Sequence, residues 1–308
     1  MGGMMKTVVV TGAGGFVGRA VVKQLLSNGV NVISVIHSDN VPAELNGSTV
    51  IKADMADYLN LKDELIRFSP DTFYHFSWAG TSGALRADEK IQLANVKGSC
   101  DAVRLASSIN CKRFIFASSI MEYEVDVKIK NMESPGINMI YSTAKMAADY
   151  MARIIASDLK IEFVSALISN IYGPGEKTPR LINSSIRTLL AGKRLSLSPC
   201  THNYDFIYIS DAAKMFLEIG TKGSAGRTYY IGNRQVRKLK KFMEELRDIV
   251  SPGAELGFGD ISTSGTNLDY SEFDKELLYQ DTGCVPEVSF KEGIKLTMDW
   301  IKEEDGFS

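Results

Sequence analysis

The sequence predicts an α/β fold: a doubly wound parallel sheet followed by a smaller mixed α/β region. Three observations carry this expectation. Short apolar runs rich in β-branched residues recur through the first half and are continuously apolar, as strands buried on both faces must be. Segments of helix length separate them, the alternation expected of parallel strands joined by crossover helices. A glycine-rich turn links the first run to the first helical segment.

Taken in order, Lys6 to Thr11 reads as the first strand and Val17 to Ser27 as the first helix, which Asn28-Gly29 ends. Val30 to Ile36, Thr49 to Lys52 and Thr72 to Phe76 read as the next strands. Ile91 to Ile109 is a long helix, Arg113 to Ala117 a strand, Ser142 to Ser157 a second long helix and Glu162 to Leu167 a strand. The second half changes character. Ile171 to Glu176 holds a Tyr-Gly-Pro-Gly loop, followed by a helix over Leu181 to Ala191. Asp205 to Ile209 and Thr228 to Ile231 read as short strands, with Ser210-Asp211 expected to cap the intervening helix. Leu239 to Ile249 and Gly293 to Glu303 are amphipathic helices, and 252–266 reads as loop. The expected division is 5–170 with 206–232 as one domain, and 171–205 with 233–308 as the other.

Composition narrows the function class. The chain has 308 residues, with 35 Lys plus Arg against 37 Asp plus Glu, a net charge of −2. This near-neutral balance without a basic block gives no reason to expect nucleic acid or an anionic membrane as partner. The longest apolar runs, such as Thr7 to Val10, fall far short of the roughly 20 residues of a membrane helix. No secretory signal is visible, and Met1 to Met5 reads as a cloning remnant left out of the fold reasoning. Cys100, Cys111, Cys200 and Cys284 form no Cys-x-x-Cys pair, and His37, His75 and His202 are scattered. The expectation is a cytoplasmic protein with reduced thiols and no metal site.

Thr11-Gly-Ala-Gly-Gly-Phe-Val-Gly18 follows the first strand and opens the first helix. Gly12, Gly15 and Gly18 serve a tight turn, close approach to a pyrophosphate and helix–strand packing. The helix N-terminus beyond, at Phe16 and Val17, offers free N–H groups to an anion. This is a Rossmann-type site for a dinucleotide, because a strand precedes the turn and a helix follows it. Further along, Tyr141 and Lys145 stand four residues apart, on one face of a helix. A lysine charge beside a phenol favours phenolate, which suits a group that passes a proton to or from a substrate.

The Thr-Gly-x-x-Gly-x-x-Gly turn together with Tyr-x-x-x-Lys resembles the extended short-chain dehydrogenase/reductase family. The resemblance runs from about residue 6 to 232, with a weaker echo at 287–300. It implies that Ser119, at the end of Phe114-Ile-Phe-Ala-Ser-Ser119, is the catalytic hydroxyl orienting the substrate oxygen, with Ser118 the second candidate for that role and a cofactor contact. It implies that Asp54 and Met55 hold the adenine, that Phe76, Ser77 and Trp78 pass beneath the cofactor, and that Asn95, matching the family's asparagine in the long central helix, belongs to the cofactor site. Tyr141 and Lys145 would then contact the cofactor as well as act in catalysis. Asn170, in Asn-Ile-Tyr-Gly-Pro174, and Asp205 to Asp211 resemble the family's later segments. Thr81, Asn170 and Arg180 are the candidate substrate contacts.

Departures from the family pattern refine this. The end of the second strand carries Ile36, His37 and Ser38 where NAD-preferring members place an acid; His and Ser can hydrogen-bond a 2′-phosphate, so NADP is favoured, with Asp39 and NAD the alternative. Ile120 and Met121 stand where sugar-nucleotide dehydratases carry Asp-Glu, so 4,6-dehydration is not expected. Glu122, one place on, need not face the site. Leu167 and Tyr204 replace arginines common in nucleotide-sugar enzymes, leaving Arg180, Arg234 and Arg237 as candidates for a diphosphate clamp. The resemblance implies a 4-keto-reductase of a nucleotide-activated deoxysugar. A nucleotide-sugar 4-epimerase with bound NAD, a reductase of a non-sugar carbonyl and a non-catalytic dinucleotide scaffold are the alternatives. A homodimer is expected through the helices at Ile91–Ile109 and Ser142–Ser157.

Overall fold

A computed structural model describes residues 5–262 and 265–307. Met1 to Met4 of the N-terminal remnant, and positions 263 and 264 of the expected 252–266 loop, lie outside the described residues. In chain order the elements are β1 (Thr7–Thr11), α1 (Phe16–Ser27), β2 (Asn31–Ile36), β3 (Thr49–Lys52), α2 (Lys62–Leu65), β4 (Thr72–His75), α3 (Glu89–Ser108), β5 (Arg113–Ser119), α4 (Tyr123–Lys130), α5 (Met139–Asp158) and β6 (Glu162–Ile168). There follow β7 (Asn170–Tyr172), α6 (Leu181–Leu190), β8 (Leu195–Leu197), β9 (Asn203–Tyr204), β10 (Phe206–Tyr208), α7 (Ile209–Lys222), β11 (Thr228–Ile231), β12 (Arg237–Lys238), α8 (Leu239–Val250), β13 (Leu256–Phe258), α9 (Leu277–Thr282) and α10 (Phe290–Asp305).

The chain forms two compact units. The first contains 5–168, 213–231 and 276–284; the second contains 169–212, 232–275 and 285–307. Against the expected division, 206–212 falls in the second unit because β10 pairs with β7 there. Residues 276–284 fall in the first, where α9 packs on β11.

In the first unit seven strands form one sheet in the order β11-β6-β5-β4-β1-β2-β3, every pairing parallel. Strand order reverses between β1 and β4, which opens a crevice at their carboxyl ends where α/β proteins bind ligands. The central strands are buried on both faces: Val8, Val9 and Val10 of β1 and Phe73 and Tyr74 of β4 are inaccessible to solvent. On one side α3 and α5 pack together against Phe73, Phe114, Phe116 and Phe163 through Ala102, Ala106, Ala144, Ala148 and Ala152. The small side chains let these long helices approach the sheet closely.

Met5, read from the sequence as part of a cloning remnant, packs into the fold. It is buried, and the Tyr74 hydroxyl lies 3.6 Å from its sulfur and donates to Phe216 O at 3.1 Å. Elsewhere β5 extends to Ser119, so both serines are strand residues, and α4 is a helix the sequence did not signal. Helix α7 begins at Ile209, so Ser210 and Asp211 lie inside its first turn instead of capping it; Asp211 accepts the N–H groups of Glu287 and Val288. The expected 252–266 loop contains β13, paired with β8.

The second unit has three two-stranded ladders, β7–β10, β8–β13 and β9–β12, with α6, α8 and α10. Its core is aromatic: Tyr172, Phe206, Phe242 and Phe290 meet edge-on or tilted, with ring centroids 4.8–6.1 Å apart. Among the described residues no helix is long and apolar enough to cross a membrane.

Candidate active site

The glycine turn sits at the carboxyl end of β1. Gly12 has φ +68°, and a Cβ there would lie 2.6 Å from Ser77 N, so both conformation and space demand glycine. A Cβ on Gly18 would lie 2.2 Å from Gly12 O, which keeps α1 close to the turn. No side chain caps the start of α1 at Gly15, so the N–H groups of its first turn, from Phe16 to Gly18, remain available to a ligand anion. The turn therefore fits a dinucleotide pyrophosphate.

Beside it runs the segment after β4. Phe76 N donates to Thr11 O at 3.0 Å, and Ser77 Oγ lies 2.5 Å from the Tyr58 hydroxyl. Asn95, fully buried in α3, clamps the segment by accepting from Ala79 N at 2.9 Å and donating to Ala79 O at 2.8 Å. Gln92, one turn earlier, accepts the Trp78 indole N–H at 2.9 Å and donates to Gly80 O and Leu85 O, each at 3.1 Å. Thr81 sits half-buried in this segment beside Gly80, whose φ is +69°.

Tyr141 occupies the first turn of α5 and Lys145 the second; both are buried. Lys145 Nζ donates to Ala117 O at 2.9 Å, two residues before Ser119, and stands 3.7 Å from the centroid of the Trp78 ring. Trp78 also meets Tyr141 edge-on, with centroids 6.1 Å apart. The Arg86 guanidinium covers the Tyr141 ring at 4.2 Å. At the end of β5, Ser119 Oγ accepts Met121 N at 3.2 Å. Glu122 accepts both the Ser118 hydroxyl at 2.5 Å and Ser119 N at 3.2 Å. Glu122, whose direction the sequence left open, thus faces inward, because its carboxylate closes a reciprocal cap with Ser119. Glu124, also buried, accepts the hydroxyl of Ser142, the residue after Tyr141, at 2.6 Å.

Burial dominates the electrostatics. It pushes Lys145 down to about 7, opposed by the charges of Glu122 and Asp149. It pushes Glu122 up to about 7, reinforced by Asp149 and opposed by the Ser118 hydrogen bond and the Lys145 charge. Asp149 is raised as well, against the pull of Arg153, and its Oδ1 is buried without a hydrogen-bond partner. Lys145 therefore sits between two carboxylates that compensate its buried charge. His75 is neutral, held near 3 by burial and then by the Lys145 charge. Thr11 Oγ1 lies 2.8 Å from its Nδ1 and Ser99 Oγ 3.1 Å from its Nε2. Ser99 donates to Asn95 O, so Thr11 donates to Nδ1 and Nε2 carries the proton.

At the end of β2, His37 lies 3.4 Å from Asp54, which also caps the turn beginning at Met55. Met55 packs on Gly98 of α3, where a Cβ would meet its side chain at 2.2 Å. Ser38 Oγ accepts from Asn40 N at 3.1 Å, and Asp39 pairs with Lys52, whose hydrogen bond and charge hold the Asp39 carboxyl below its usual range. In the second unit, Asn170 donates to Asp205 O at 2.9 Å. Arg180 lies 3.8 Å from Glu176. Arg237 is bound to Glu245 at 2.8 Å over the Phe242 ring, so it serves the core of that unit instead of an open clamp. Arg86, Gln92 and Glu124 were not legible in advance. Each acts through a side-chain contact with an element distant in sequence or through a loop, and leaves no periodic signal. Among the described residues no cluster of three His, Cys, Asp or Glu side chains is placed to hold a metal.

A profile of the family described as "NAD dependent epimerase/dehydratase family" matches residues 8–232. A dTDP-glucose 4,6-dehydratase from Neisseria gonorrhoeae is 23% identical over 96% of this chain and 95% of its own. Among solved structures, a dTDP-glucose 4,6-dehydratase from Bacillus anthracis in complex with NAD has a TM-score of 0.82 at 17% identity, covering 98% of each chain. A UDP-glucose 4-epimerase from Thermotoga maritima with UDP-glucose has a TM-score of 0.80 at 21% identity, covering 97% of this chain and 99% of its own. At these identities the likeness shows the shared fold.

Proposed function

Because the chain belongs to the NAD dependent epimerase/dehydratase family, we propose that it is an NAD(P)-dependent 4-keto-reductase of a nucleotide-activated deoxysugar. The observation that carries this reading is the seating of Lys145 against Ala117 O at the end of β5, one helical turn from Tyr141. The nicotinamide, when bound, supplies the hydride. Gly12, Gly15 and the start of α1 would hold the pyrophosphate, and Asp54 and Met55 the adenine. Ser119 orients the substrate oxygen. Tyr141 gives its hydroxyl proton to that oxygen, and Lys145 favours the phenolate left behind. Hydride at carbon and proton at oxygen together complete the alcohol.

Ile120 and Met121 support reduction over dehydration. Neither side chain can move a proton, and Ile120 is buried. Asp39, bound by Lys52, and the hydrogen-bonding side chains of His37 and Ser38 support NADP(H) as cofactor.

The test is turnover of UDP- and dTDP-linked 4-keto-6-deoxyhexoses with NADPH and with NADH, scored by product analysis. Net oxidation of NADPH with formation of the 4-hydroxy sugar, lost in Tyr141→Phe, is the expected result. Interconversion of C4 epimers by retained NAD without net redox change assigns the epimerase. Turnover undiminished in Tyr141→Phe overturns the acid–base role, and no turnover with any of these sugars overturns the substrate assignment.

A further inference from the structure

Lys145, the lysine expected to tune Tyr141, is buried and has its charge shared with Glu122 and Asp149. It is enclosed by Trp78, Phe116 and Ala117, and burial weakens its protonation. A second cation stands on the other partner. The Arg86 guanidinium lies 4.2 Å from the Tyr141 ring centroid, and a guanidinium does not lose its proton in a protein. Among the described residues no carboxylate forms an ion pair with Arg86.

The loop that carries Arg86 is fixed. Gln92 binds Gly80 O and Leu85 O, both before Arg86, and the Asp88 carboxylate caps α3 through Lys90 N and Ile91 N just after it. Trp78, held by the same Gln92, closes on the edge of Tyr141.

We propose that Arg86 is a positioning residue of the active site, whose permanent charge over the Tyr141 ring favours the phenolate and holds the ring in register with Lys145. A cation over an aromatic face is attracted by the ring quadrupole, and far more strongly by a ring bearing a negative charge. This inference rests on the assignment of Tyr141 as the proton donor. Among the charged groups around α5, Glu122 after β5 binds Ser118, Glu124 on α4 binds Ser142, Asp101 on α3 pairs with Lys97 and Arg104, and Asp149 on α5 itself pairs with Arg153. None of these carboxyls would favour a phenolate, so the favourable field comes from Arg86 and Lys145.

The experiment is a pH titration of phenolate difference absorbance on the NADP⁺-bound protein. Wild type minus Tyr141→Phe isolates the Tyr141 transition. Arg86→Gln is expected to move that transition alkaline by about half a pH unit or more, with Arg86→Lys shifting it less. Arg86→Met, which keeps the packing of the stem, replaces Arg86→Gln if the latter does not fold. A Tyr141 transition unmoved in Arg86→Gln or Arg86→Met, or equally displaced in Arg86→Lys, overturns the inference while leaving the assignment of Tyr141 intact. A wild type without any such transition removes both.

Discussion

Lys145 Nζ lies 3.7 Å from the centre of the Trp78 ring, and the Trp78 indole N–H is anchored to Gln92 at 2.9 Å. The cation and the indole are thereby locked together. Trp78 and Trp300 are the two tryptophans of the chain. Binding of NADPH is expected to quench Trp78 emission, a response lost in Trp78→Phe and kept in Trp300→Phe. Trp78→Ala is expected to cost about 1–2 kcal/mol of stability in a denaturant titration, from lost cation–π attraction and packing.

Gly18→Ala places a methyl group against Gly12 O. Neither backbone can move without opening the strand–helix contact, so the expected cost is about 1–3 kcal/mol with loss of NADPH binding. A calorimetric titration of the folded variant that matches wild type would contradict the role assigned to the turn.

Glu122 is raised to about 7 from an ordinary carboxyl value of 4.5. Between those values the folded state binds more protons than the unfolded chain, so this group's contribution falls as pH rises from 4.5 to 7. Glu122→Gln keeps the acceptor for Ser119 N and cannot ionise. Its melting temperature relative to wild type is therefore expected to climb across that window. A constant difference would place the carboxyl in solvent contact.

His37→Asp puts a carboxylate at the end of β2, next to Asp54. A 2′-phosphate is repelled there and a 2′-hydroxyl accepted. The NADPH-over-NADH affinity ratio is expected to drop about tenfold, equivalent to about 1.4 kcal/mol. An unchanged ratio would locate 2′ recognition elsewhere.

The long helices leave Leu93 on α3 and Tyr150, Met151 and Ile154 on α5 exposed, Ile154 by 67%. Such side chains on two adjacent helices fit a helical interface between two copies of the chain. Light scattering is expected to give a dimer mass for wild type and a monomer mass for Leu93→Glu combined with Ile154→Glu. A wild-type monomer would leave the exposed residues without this explanation.

Much of the first unit was legible because its signals are local. Continuous apolar runs such as Thr7 to Val10 mark strands buried on both faces, and the three-residue glycine spacing admits few conformations. Reading was weaker in the second unit. Ladders of two or three residues, such as β8–β13, carry no measurable periodicity and exist only through their partner strand. Helix α4 was missed because Tyr123-Glu-Val-Asp-Val mixes buried and exposed positions irregularly: Glu124 turns inward to bind Ser142 while Ile129 turns outward.

By itself the sequence determined the strand–turn–helix at Gly12 to Gly18 and the pairing of Tyr141 with Lys145 on one helical face, because glycine conformation and helical pitch act over a few residues. Only the tertiary structure decided what surrounds them. Arg86 on the face of Tyr141, Trp78 over Lys145, and Glu122 bound to Ser118 each depend on segments outside the regular sheet and long helices. Their energies come from charge and burial, which are properties of three-dimensional neighbours and not of spacing along the chain.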